Sequence, residues 1–88
     1  MKAVLTVIGK DKVGIIAGVS QKLATLDINI LDVSQTIMDH YFTMMMLLAL
    51  EPTSDLDRIR EELHQLGQSL GVKISIQNQE IFDTMHKL

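Results

Sequence analysis

The run from Tyr41 to Leu50 reads Tyr-Phe-Thr-Met-Met-Met-Leu-Leu-Ala-Leu, with Thr43 its one polar residue. Its apolar heart, Met44 to Leu50, is far shorter than the roughly 20 residues a membrane-crossing helix requires. A strand this apolar belongs at the centre of a sheet, with both faces covered. The chain has 88 residues, enough for one domain with little to spare. The rest of the fold must therefore be assembled around this strand.

The flanking segments supply the pieces. Residues 3–8 are rich in β-formers and bounded by Gly9, which predicts a first strand. Over residues 15–26 the apolar positions Ile16, Val19, Leu23 and Leu26 follow helical spacing. Gly18 lowers helix propensity by about 1 kcal/mol relative to Ala, which points to close packing of this helix on the sheet. Asp27-Ile28 turns the chain into a strand over 29–38, and Asp39-His40 is of hairpin length.

Glu51-Pro52-Thr53 ends the central strand, and Ser54 with Asp57 resembles a capping box. Leu56, Ile59, Leu63, Leu66 and Leu70 mark one face of a second helix, which Gly71 ends. Val72, Ile74 and Ile76 then alternate with Lys73, Ser75 and Gln77, as in a half-buried edge strand.

The order is βαββαβ, an α+β ferredoxin-like sandwich. Right-handed crossovers put the first and third strands of the four-stranded antiparallel sheet at its centre. Both helices cover one face, and the other is open in a monomer. Residues 1–78 form the domain and 79–88 a C-terminal helical extension. In that extension Ile81, Phe82, Met85 and Leu88 have helical spacing, and Asn78 is placed to cap it. Strand alternation sends Met44 and Met46 to one face and Met45 to the other. An apolar open face containing Met45 is a signal of homodimerisation.

Composition excludes several classes. The chain has no cysteine, so disulfides, Cys-ligated metals and thiol catalysis are ruled out, and a reducing compartment fits. The formal charge is −3, with no basic cluster of the kind nucleic acid requires. The N-terminus lacks the layout of a secretory signal, so a cytoplasmic protein without membrane contact is expected. His40, His64 and His86 share no metal-ligand spacing. No nucleophile–base arrangement is readable. The expectation is a binding module without catalytic residues, metal or cofactor.

Two stretches stand out as a candidate site. Gly9-Lys10-Asp11-Lys12-Val13-Gly14-Ile15-Ile16 runs from a strand through a loop into a glycine-opened helix. The first turn of such a helix has unpartnered N–H groups and partial positive charge, which suit a carboxylate. Asp11 would accept an ammonium group and Gly14 would let a ligand approach the backbone. The competing roles are structural: Asp11 as a helix cap, Gly14 as a residue of special φ/ψ. Asn29, opening the next strand, either orients a ligand or pins its own turn.

The pattern Thr6-Val7-Ile8-Gly9-Lys10-Asp11-Lys12-Val13-Gly14-Ile15-Ile16-Ala17, then Leu23-Ala24, then Asn29 to Thr36, resembles the ACT domain family. It is most similar to the ACT modules of the glycine cleavage system transcriptional repressor and of formyltetrahydrofolate deformylase. The resemblance covers residues 3–78. It implies a regulatory module that binds an amino acid or related metabolite where the loop meets a neighbouring domain. By position, Asp11, Val13, Gly14 and Ile15 would line the loop, with Asn29 and Ile30 beside it. With no catalytic or DNA-binding domain in the sequence, regulation would act on a separate partner enzyme or regulator. Three alternatives share the fold: a ligand-free dimerisation and interaction module, an acylphosphatase-like enzyme, and an RNA-binding sheet. The second lacks a loop arginine. The third lacks the aromatics that stack bases, except Tyr41 and Phe42.

Overall fold

The structure, a computed structural model, describes residues 1–10, 13–80 and 83. The elements run β1 (Lys2–Lys10), α1 (Ile15–Thr25), β2 (Asn29–Met38), β3 (Tyr41–Ala49), α2 (Leu56–Leu70) and β4 (Val72–Asn78). The four strands form one antiparallel sheet in the order β2-β3-β1-β4. This is the ferredoxin-like βαββαβ arrangement, with β1 and β3 central as expected.

Strand alternation decides what is buried. Ala3, Leu5 and Val7 of β1 and Phe42, Met44, Met46 and Leu48 of β3 point under the helices and are buried. Ile74 and Ile76 of β4 join them, with Ile15, Val19 and Leu23 from α1 and Ile59 and Leu63 from α2. This core is aliphatic and Met-rich, with Phe42 its aromatic member. On the opposite face Ile8, Tyr41 and Met45 are exposed. That face carries no helix drawn from residues 1–78.

Three local expectations are corrected. The start of α1 turns Ile15 inward and leaves Ile16 exposed, the reverse of the periodic reading, which began one residue late. A Cβ on Gly18 would meet Leu70 Cδ1 at 3.3 Å, so the glycine serves the contact between α1 and α2 rather than between helix and sheet. The cap of α2 is Asp55, not Ser54: its side chain accepts from Asp57 N at 3.1 Å and Arg58 N at 3.2 Å. Gly71 ends α2 in the left-handed region, φ 72°, as its position implied.

The helices are also tied together electrostatically. Lys22 of α1 donates to Glu62 of α2 at 3.2 Å, and Arg58 Nε stands 3.5 Å from the other Glu62 oxygen. Arg60 donates through Nε and a terminal nitrogen to the Ile76 carbonyl of β4, at 3.3 and 3.1 Å. Beyond β4, Gln79, Glu80 and Asp83 are helical, and the Asn78 side chain accepts from Glu80 N at 2.8 Å. The rest of the expected C-terminal helix lies outside the described residues.

Candidate functional site

The loop between β1 and α1 ends in Val13 and Gly14. Val13 is fully exposed. Gly14 is the N-cap of α1 with φ 92°, a conformation that costs a side-chain-bearing residue strain and glycine nothing. A Cβ built there would meet nothing within 4 Å, so the space above the glycine is open. The Gly14 carbonyl accepts from Gly18 N at 2.8 Å, which starts the helix. No acidic residue stands in the first turn to offset its partial positive charge. This end of α1 is therefore an open, electropositive backbone surface. Asp11 lies outside the described residues. Ile15 is only 2% exposed and belongs to the core, so what it presents to the loop is backbone.

Asn29 is exposed at the start of β2, and its side chain makes no hydrogen bond among the described residues. The turn before it is held by backbone instead: Asp27 N donates to Ala24 O at 3.1 Å and Ile28 N to Leu23 O at 3.0 Å. The amide of Asn29 is thus not used in pinning the turn. Ile30 is half-buried against the core.

These two halves do not meet within one chain. Lys10 pairs with Tyr41, and Tyr41 with Met38, at the end of the sheet that leads into Gly14. Asn29 pairs with Ala49, and Ala49 with Lys2, at the other end. Eight residue steps along β3, from Tyr41 to Ala49, separate the two rows, about 27 Å at strand rise. No single amino acid bridges that span. This separation follows from the βαβ order, because α1 carries the chain from one end of the sheet to the other.

β2 lies at an edge of the sheet, as the expected strand order implies, but its bulge and its exposed apolar residues were concealed in the sequence pattern. β2 is an edge strand of ten residues with neither Lys nor Pro, the usual guards of an edge. Its register slips between Ile30 and Asp32, leaving Leu31 unpaired in a bulge. Beyond the bulge Val33 and Ile37 sit opposite the buried Met46 and Phe42, yet are 45% and 56% exposed. The helix layer stops short of them. Asp32, Ser34 and Thr36 take the open face, opposite Leu47, Met45 and Thr43. The other edge, β4, is shorter, carries Lys73 and has the Ile76 carbonyl occupied by Arg60.

Among the described residues no three His, Asp or Glu side chains converge as a metal site would need. Nor is any helix there long and apolar enough to cross a membrane.

The comparisons with known proteins agree with this architecture. The UPF0237 protein of Listeria monocytogenes is 63% identical over 89 residues, covering all of both chains. A solved ACT domain protein from Streptococcus pneumoniae is 52% identical, covers 94% of each chain and superposes with a TM-score of 0.86. A solved glycine cleavage system transcriptional repressor shares the fold, with a TM-score of 0.78 at 23% identity over 86% of this chain and 45% of its own. The family model of the ACT domain matches residues 2–77, and the chain belongs to that family.

Proposed function

We propose that the protein is a homodimeric regulatory module that binds an amino acid or related small metabolite and acts on a separate partner protein. The observation that carries this is the division of the site. The glycine-opened helix and Asn29 lie at opposite ends of the sheet, and the edge strand β2, with neither Lys nor Pro, runs between those ends. Two copies pairing antiparallel along β2 would set the Gly14 loop of each near Asn29 and Ile30 of the other. The helix start then takes a carboxylate, Asn29 hydrogen-bonds the ligand, and Asp11 accepts the ammonium group. The pairing would also cover Val33 and Ile37. The similarity to a regulatory ACT protein, the glycine cleavage repressor, supports the regulatory part of the reading.

A thermal-shift screen against the amino acids tests it. A ligand at 100 times its dissociation constant stabilises by about 2.7 kcal/mol, roughly 10–20 °C for so small a domain. The sharing of the site is tested by mixing two variants. Gly14→Val and Asn29→Ala homodimers should each fail to bind. Their heterodimer carries one site with both lesions and one intact site, so binding should return at half stoichiometry. No return on mixing defeats the shared site. No shift with any compound favours the ligand-free interaction module instead.

A further inference from the structure

A cleft of about 250 Å³ lies between the end of α1 and the start of α2. Its volume is just below that of drug-sized pockets, which suits a small metabolite. Leu26 and Ile59 supply its apolar part, and Asp27, Asp55, Arg58 and Glu62 are its charged lining. Two of these charges are spent. Asp55 Oδ1 accepts from the N–H groups of Asp57 and Arg58 as the cap of α2. Glu62 Oε1 accepts from Lys22, and its Oε2 stands 3.5 Å from Arg58 Nε. The other two are not. Among the described residues the Asp27 carboxylate and the two terminal nitrogens of Arg58 have no hydrogen bond or ion pair. Asp27 and Arg58 are opposite in sign and line one cleft, yet they do not close on each other. Glu62 holds Arg58 by Nε, so its terminal nitrogens are left as a fork that fits a carboxylate. The Asp27 carboxylate only accepts, which fits an ammonium group. Its backbone is fixed in the left-handed region, φ 58°, by the bond from Asp27 N to Ala24 O.

We propose that this cleft is a further small-molecule site, complete within one chain, for a small zwitterion: an α-amino acid with its carboxylate on Arg58 and its ammonium group on Asp27. Leu26 and Ile59 meet its side chain, and the volume restricts that side chain to a small one. The cleft does not depend on the shared site between two copies, since neither Gly14 nor Asn29 lines it.

The test titrates the full chain carrying Gly14→Val, which disables the shared site, with glycine, L-alanine and L-serine, and follows the backbone amide resonances. Saturable shifts should appear at Thr25, Leu26, Asp27, Arg58 and Ile59. Arg58→Gln and Asp27→Asn, each added to that chain, should weaken binding by about tenfold or more. N-acetylglycine lacks the ammonium group and glycinamide lacks the carboxylate, so neither should shift these amides. If Gly14→Val fails to fold, the unmodified chain takes its place and the same amides are read. Absence of saturable shifts with all three amino acids overturns the proposal. Equal binding by either analogue, or by the Arg58 and Asp27 variants, also overturns it. Failure of the shared site shows in different amides, those of Val13 to Ile15 in the unmodified chain, so the two readings fall separately.

Discussion

Single residues set this fold through space as much as through chemistry. A Cβ on Gly67 would lie 2.8 Å from the Val72 carbonyl oxygen, which is backbone and cannot step aside. Gly67→Ala should lower unfolding stability by about 1–3 kcal/mol in a urea titration, despite alanine's better helix propensity. Gly18 is the contrast. Its nearest neighbour is the tip of a leucine at 3.3 Å, which can give way. Gly18→Ala should be neutral or gain up to about 1 kcal/mol in the same measurement. The cap of α2 offers a second pair. Asp55→Ala should cost about 1 kcal/mol, and Ser54→Ala less than about 0.5 kcal/mol. The sequence offers Ser54 and Asp55 as adjacent candidates of similar quality, and only the path of the chain out of Pro52 chooses between them. Gly67 was invisible for a related reason. Its constraint is a carbonyl of β4, and nothing local to α2 announces it.

Periodicity announces the elements well, because each has one buried side and a clear stop. The alternation in β4 and the leucine face of α2 are unambiguous for this reason. β2 is the exception. Its apolar residues follow no simple period, because the bulge at Leu31 shifts which face each one takes. Its exposed Val33 and Ile37 make sense as an edge awaiting another strand. Charge at that position should prevent the proposed pairing. Val33→Lys should keep the melting temperature of the isolated domain nearly unchanged and weaken self-association tenfold or more, as measured by sedimentation equilibrium. The closed edge behaves in the opposite way. Arg60→Ala frees the Ile76 carbonyl and removes the side-chain hydrogen bonds from α2 to β4, so amide exchange in β4 should rise.

At the scale of the molecule, the strand order and the division into covered and open faces were readable from an apolar strand set among amphipathic ones. The proposed site was readable only as two separate motifs. Gly14 follows the end of β1 and Asn29 opens the parallel strand β2, so α1 sets them at opposite ends of the sheet, while local spacing cannot report that Ile15 is taken by the core. One consequence of that separation concerns abundance. A ligand that touches both ends is held by two chains, so capture of the ligand and assembly of the pair reinforce one another. Titrated at rising protein concentration, the half-saturating ligand level should fall and then level off. Such a module would read a metabolite's level jointly with its own copy number, and a cell could retune its sensitivity by changing expression alone.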